Sequence, residues 1–120
     1  MFYPEFRLFT DVSTIYLHRD FVDFRKAING LVVIVEQEMQ LSPFSDALFI
    51  FCNKPRDKLK ILYWDKTGFA LWYKRLDEDR FKWPRNINND TLALSEQQLT
   101  LLLQGFDILG HQPVHYQTTL

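Results

Sequence analysis

The alternating side chains of residues 58–64 constrain this sequence more than any other feature. Lysines and apolar residues share one side of the run: Lys58, Lys60, Leu62 and Trp64. The other side is wholly apolar, as in a half-buried strand: Leu59, Ile61 and Tyr63. Residues 65–68 predict a type I turn, because an Asp opens it and a Gly closes it. Residues 69–76 return as the partner strand and residues 80–83 follow as a third, so the pattern predicts an antiparallel β-meander.

A helical period precedes the meander. Apolar residues recur at the spacing of one helix face: Phe24, Ile28, Leu31 and Val35. Asp20 predicts an N-cap and Asp23 a first-turn carboxylate, so we expect a helix over about residues 21–40. The apolar run 31–35 is also compatible with a strand, but the longer periodicity favours the helix.

Shorter elements complete the predicted domain. Residues 14–18 and 47–52 are typical of short strands, and residues 85–93 of a polar loop. Ser95 and Gln98 form a capping box that opens a second helix, which should end near residue 107. The sequence therefore predicts an α+β fold: an antiparallel β-meander sheet, one long helix packed on a face, and a second, C-terminal helix.

Composition bounds the class of protein. The chain has 120 residues, of which 47% are hydrophobic and 16% aromatic, enough for one self-sufficient core. We expect a single domain over residues 1–110 and a loose tail over 111–120. The lone cysteine, Cys52, excludes an internal disulfide and predicts a buried thiol. No signal peptide is visible in residues 1–10 and no run is long enough to span a bilayer, so we expect a soluble, cytoplasmic protein.

The near-neutral net charge of −1 hides a segregation. Residues 54–85 hold ten basic and five acidic residues, whereas the remainder holds four basic and ten acidic residues. All three tryptophans lie in the basic segment, and basic residues interleaved with aromatic rings are typical of nucleic-acid surfaces. The candidate nucleic-acid or partner contacts are Arg25, Lys26, Lys58, Lys60, Lys74, Arg75, Arg80, Lys82, Trp64 and Trp72. The competing interpretation places the rings in the core and the cations on a solvated face.

Residues that could carry catalysis or hold a ligand are sparse. His111 and His115 have the spacing of a metal pair, but no acidic ligand is nearby, and His18 is expected to be structural or exposed. Asp65 ends a strand, where catalytic carboxylates can lie, yet its place in a turn explains it better. The chain has only four glycines, which leaves little material for a phosphate-binding loop. Taken together, these residues predict no catalytic site, no metal site and no cofactor.

Many short segments together resemble a known family. They are Asp23-Phe24-Arg25-Lys26, Gly30-Leu31, Pro43-Phe44-Ser45, Leu48-Phe49-Ile50-Phe51, Asp57-Lys58-Leu59-Lys60-Ile61-Leu62, Trp64-Asp65, Gly68-Phe69, Leu71-Trp72-Tyr73-Lys74-Arg75-Leu76, Phe81, Trp83-Pro84, Leu94-Ser95, Gln98-Leu99 and Leu102-Leu103-Gln104-Gly105. In order, they resemble the small accessory protein, TnpB or Orf2-like, of the bacterial insertion-sequence family numbered sixty-six. It shares only its name with the larger RNA-guided nuclease. The resemblance implies a required helper in transposition of a mobile element, beside a separate, larger transposase.

Three hypotheses about function follow. The first is a non-catalytic accessory protein that binds element DNA, the element's transposase, or both. The second is a protein–protein interaction module with no direct DNA contact, whose exposed rings anchor an interface. The third is an enzyme with a site around Asp65 and Arg75, which requires that the two side chains share a cleft. The oligomeric state is left open by the sequence.

Overall fold

Five strands form one mixed sheet in the computed structural model, which describes residues 14–109. The strands are β1 Thr14–His18, β2 Ala47–Cys52, β3 Lys58–Asp65, β4 Gly68–Arg75 and β5 Thr91–Leu94. The helices are α1 Ile28–Gln37 and α2 Glu96–Leu103. The strands lie in the order β4-β3-β2-β1-β5, so the first strand in sequence is enclosed near one side of the sheet and pairs with the last. The α+β class is confirmed.

The centre of the sheet is β2, in which all six residues are buried. Its continuous apolar sequence suits a strand covered on both faces, because side chains of either parity then meet the core. Strand β1 pairs with β2 in parallel, with Thr14 opposite Ala47, and β3 pairs with β2 antiparallel, with Leu48 opposite Tyr63. A parallel neighbour needs a crossover connection, which α1 supplies. The prediction of a wholly antiparallel sheet was therefore wrong for β1.

The core lies in two layers, one on each face of the sheet. Helix α1 buries Leu31, Ile34 and Val35 against Phe49, Leu62 and the other β2 and β3 side chains of the same parity. Helix α2 packs on the opposite face, together with the side chains of opposite parity. Alternate side chains of β3 therefore belong to different layers of the core. Lys58 and Lys60 lie on the α1 side, at the start of the strand.

Helix α1 is shorter than the predicted 21–40. It begins at Ile28, and its N-cap is Ala27, not Asp20. Asp23 instead accepts a hydrogen bond from the Arg25 backbone N–H and pairs with the Arg25 guanidinium, which stabilises a turn rather than a helix. The helix ends before Gln40, whose φ of 57° is left-handed. Phe24 still packs on the α1 layer, which explains its place in the helical period.

Two strand assignments also differ. Residues 80–83 form no strand, although Phe81 and Trp83 are buried in the α2 layer, and the Trp83 indole N–H lies within hydrogen-bond distance of the His18 and Arg19 carbonyls. Residues 91–94 form β5 and pair with β1, although residues 91–93 were expected to be the end of a loop. The third strand beside β3 and β4 is therefore β2, and the meander runs β2-β3-β4.

Of the local predictions, the helix cap is confirmed and the turn type is not. The capping box is confirmed: Ser95 Oγ accepts from the Gln98 N–H, and Gln98 Oε1 accepts from the Ser95 N–H. Helix α2 ends at Leu103, short of residue 107, and Gly105 follows with a φ of 94°. The β3–β4 turn is not type I, because its first central residue, Lys66, has a φ of 59°. The residue 1–110 domain boundary stays a prediction, and the 111–120 tail lies outside the described residues.

Candidate nucleic-acid interface

A groove of about 980 Å³ opens on the α1 side of the sheet, between residues 21–25 and the β2–β3 hairpin loop. Its side chains include four cations and one carboxylate: Arg25, Lys54, Lys58, Lys60 and Asp23. Three aromatic rings line it as well, two from the 21–25 segment and one from β4: Phe21, Phe24 and Tyr73. Basic and aromatic side chains thus meet in one concave surface, called here the basic groove.

The hairpin loop on one side of the basic groove is held by Asn53, which is buried. Its side-chain N–H donates to Asp57 Oδ1 at 2.7 Å, and its Oδ1 accepts from the Lys58 backbone N–H at 3.0 Å. Arg56 closes the loop with a φ of 65° and donates its backbone N–H to the Asn53 carbonyl. Lys54 is exposed at the tip of a loop that these hydrogen bonds hold in place.

On the other side of the groove, Lys60 holds the 24–26 segment by hydrogen bonds. Its ammonium donates to the Phe24 carbonyl at 3.1 Å and to the Lys26 carbonyl at 3.0 Å, and it lies 4.7 Å from the centroid of the Phe24 ring. Partial burial lowers the pKa of Lys60. The sequence nominated Lys60 as a phosphate contact, but its ammonium is already committed to the chain segment that carries Arg25.

Lys54 and Lys58 are groove cations whose ammonium groups form no ion pair within residues 14–109. Lys54 is exposed and Lys58 is half-buried. Lys26 is likewise exposed and has no ion pair there, but it does not line the groove. Cations held beside rings without a counter-charge are suited to an anionic ligand.

Arg25 carries its own carboxylate. The Asp23 side chain accepts from Arg25 Nε at 3.0 Å, and this hydrogen bond lowers the pKa of Asp23 to about 2. The Arg25 side chain is 91% exposed, so it can still face a ligand at the groove rim. Asp23 is thereby held ionised, and it offsets one of the four positive charges of the groove.

The remaining predicted cations lie outside the groove lining. Lys74 is on the opposite face and donates to the Leu103 carbonyl at 3.0 Å, at the C-terminal end of α2, where a cation is favourable. Arg75 is beside Lys58 in the β3–β4 register but pairs with Asp77. Arg80 and Lys82 follow β4 in an exposed segment, where both contact Asp79. The structure thus groups only Arg25, Lys58 and Lys60 of the ten predicted contacts.

The tryptophans do not form a stacking surface together. Trp72 and Trp83 are each 7% exposed and belong to the α2 layer. Trp64 is half-buried at the far end of β3, in edge-on contact with Phe44 and Phe69 at centroid distances of 5.0 Å. The tryptophan content was therefore mostly a core signal, as the competing interpretation held.

Tyr73 and Lys54 are groove residues that the sequence selection missed. Tyr73 is 50% exposed and lies opposite Lys60 in the β3–β4 register. Pairing the strands across the 65–68 turn would have placed it on the lysine face. Lys54 could not be singled out, because its position depends on how the hairpin loop meets residues 21–25, which are distant in sequence.

The other candidate residues have structural surroundings. His18 is buried, with Nδ1 donating to the Asp20 carbonyl at 2.9 Å and Nε2 lying 3.0 Å from Glu38 Oε1. Cys52 is fully buried, and burial raises the pKa of its thiol to about 12. Asp65 and Arg75 lie at opposite ends of the hairpin, roughly 23 Å apart along the strands, so they share no cleft. His111 and His115 lie outside the described residues.

Residues 14–109 form a small α+β protein with a basic groove, and they contain no cluster of three metal-ligating side chains. The chain belongs to the family described as IS66 Orf2 like protein, which matches residues 13–113. This is a family of accessory proteins of transposable elements, which supports a role associated with transposition.

Two relatives come from Sinorhizobium fredii (strain NBRC 101917 / NGR234). One, the uncharacterized protein y4jC, is 35% identical over 86 residues, which are 72% of this chain and 73% of the relative. The other, uncharacterized protein y4hO, is 35% identical over 85 residues, which are 71% and 73% of the two chains. No solved structure matches the chain. Within residues 14–109 no helix is long and apolar enough to cross a membrane.

Proposed function

We propose that this protein assists transposition without catalysing it, by binding nucleic acid of the mobile element in the basic groove. The observation that carries the proposal is the convergence of Lys54, Lys58 and Arg25 on one concave surface that also contains the exposed Tyr73 ring. Phosphates supply the negative charge that Lys54 and Lys58 lack, and bases supply faces for the ring.

The geometry favours a binding surface over an ordinary solvated face. The three cations come from three different parts of the fold: Lys54 from the hairpin loop, Lys58 from the start of β3, and Arg25 from a segment almost thirty residues before Lys54. The Asn53 and Lys60 hydrogen bonds hold both segments in place, so the cost of ordering them is met by folding rather than by binding.

Salt-dependent binding tests the proposal. Fluorescence anisotropy with labelled element-end DNA should detect binding at about 50 mM salt that weakens towards about 200 mM salt. Three groove cations predict a slope of log K against log salt of about −2 to −3. The double variant Lys54→Glu/Lys58→Glu should reduce the magnitude of that slope by about 2.

The matched control is Lys66→Glu/Lys82→Glu. It changes the net charge equally, at exposed positions outside the groove lining. If both double variants weaken binding alike, the interaction is a diffuse charge effect and the groove is not the site. Absence of any salt-dependent binding by the unaltered protein would refute the proposal.

A second candidate function is docking to the element's transposase without DNA contact. It is favoured by an aromatic cluster at the other end of the same face, where Phe44 is 57% exposed against Trp64 and Phe69. Exposed rings are common anchors of protein interfaces. Co-purification with the transposase after nuclease treatment tests it, and Phe44→Ala should abolish capture while leaving the salt-dependent DNA binding unchanged.

A further inference from the structure

Neither helix of the described chain is equipped to read a DNA duplex. Helix α1 (INGLVVIVEQ) and helix α2 (EQQLTLLL) contain no basic residue, and each carries a glutamate. Helices that enter the major groove bring cations to phosphates and polar side chains to base edges. A basic helix for reading a duplex is therefore missing from residues 14–109, and the positive charge of the groove lies on strand and loop residues instead.

The basic groove has the features that suit unpaired nucleotides. Tyr73 presents half of its surface to solvent and has no aromatic partner within residues 14–109, whereas the Phe44, Trp64 and Phe69 rings contact one another. A free ring stacks on an unpaired base, but the bases of a duplex are already stacked on their neighbours.

We infer that the basic groove binds an unpaired polynucleotide strand, with a base stacked on Tyr73 and the flanking phosphates at Lys54 and Lys58. Tyr73 is in register with Lys60, and Lys58 lies two residues earlier on the same side of β3, so ring and cation are neighbours along the sheet. The inference rests on the proposed function and specifies its ligand. In transposition, unpaired strands would be presented wherever element ends are opened.

The experiment compares the affinities of single-stranded and double-stranded polynucleotides. Anisotropy at about 50 mM salt would measure binding of a deoxythymidine oligomer of about 15 nucleotides, the matching uridine oligomer, and a duplex of equal length. At least one of the single strands should bind more than tenfold tighter than the duplex. The ratio of the deoxythymidine and uridine affinities identifies DNA or RNA as the source of the strand.

Variants at Tyr73 locate the stacking. Tyr73→Ala should weaken single-strand binding roughly 5- to 150-fold, the range for one stacked base, while Tyr73→Phe keeps the ring and the affinity. Phe44→Ala is the matched control, because it removes an exposed ring outside the groove and should leave binding unchanged. Circular dichroism confirms that each variant folds.

The outcomes separate the inference from the proposed function. If the duplex binds as tightly as the single strands, or Tyr73→Ala has no more effect than Phe44→Ala, the unpaired-strand inference is overturned. Groove binding as such then survives, provided Lys54→Glu/Lys58→Glu still weakens the interaction. If no polynucleotide binds at low salt, both are overturned.

Discussion

Replacing Lys60 by methionine should destabilise the fold, although Lys60 reads in the sequence like any other lysine of the basic segment. Methionine keeps the apolar stem and removes the ammonium, which donates to the Phe24 and Lys26 carbonyls. A hydrogen bond from a charged group contributes about 1.5–3 kcal/mol, but partial exposure and the desolvation of the ammonium reduce the total for the pair. We expect Lys60→Met to lower the free energy of unfolding by about 1–3 kcal/mol.

Urea unfolding at pH 7, followed by tryptophan fluorescence, measures this loss. The urea concentration at the midpoint should fall. The slope of the unfolding free energy against urea concentration should not change, because the surface exposed on unfolding is nearly the same. In a thermal melt, each kcal/mol corresponds to about 4–8 °C for a domain of this size.

Lys58→Met is the matched control, since Lys58 lies on the same strand and face without an ion pair in residues 14–109. Its unfolding free energy should stay within about 0.5 kcal/mol of the unaltered protein, while its affinity for nucleic acid falls. If Lys60→Met is as stable as Lys58→Met, the Lys60 hydrogen bonds do not hold the 24–26 segment and our assignment of Lys60 is wrong.

Three further predictions concern the thiol, the acid limb and the second helix. Cys52, buried with a thiol pKa of about 12, should resist alkylation at pH 8 in the native protein and react rapidly in urea; fast native labelling would contradict its burial. The pKa of Asp23 is about 2 when folded, below its ordinary value of 3.8, so its contribution to stability is present above about pH 4 and is lost as the pH falls towards 2. Asp23→Asn should flatten that part of the pH dependence of unfolding, and an unchanged profile would show that the Arg25 pair is not formed in solution. Ser95→Ala removes the cap and should cost about 1 kcal/mol in urea unfolding, whereas Ser95→Asp, which can also cap, should cost less; equal losses would argue against the cap.

Local patterns predicted the strands β2, β3 and β4 and the cap of α2 well, because each depends on side chains close in sequence. The alternation over 58–64 and the Ser95–Gln98 box needed no tertiary information. The extent of α1 did depend on it. Phe24 fits the helical period yet packs from a turn, since Asp23 binds Arg25 instead of capping a helix.

The basic groove could be predicted only in part. Charge segregation pointed to residues 54–85, and the fold does place Lys54, Lys58 and Tyr73 from that segment in one surface. The same signal also selected Lys74, whose ammonium binds the end of α2, because net charge does not reveal which cations are used inside the fold. Distinguishing a lysine that the fold uses from one that it leaves unpaired required the contact partners, such as the Leu103 carbonyl for Lys74, and those are distant in sequence.

The pairing of the first strand with the last has a consequence for how the chain folds. Strand β1 pairs with β2 on one edge and with β5 on the other, where Ile15 is opposite Leu94. The edge that faces β5 is therefore covered only after almost all of the described residues have been synthesised. Closing so long a loop is entropically costly, and folds rich in such contacts form slowly. During synthesis the growing chain therefore exposes an unpaired apolar edge at β1 until residues 91–94 emerge, and a truncation before β5 would leave that edge open to pairing with other chains.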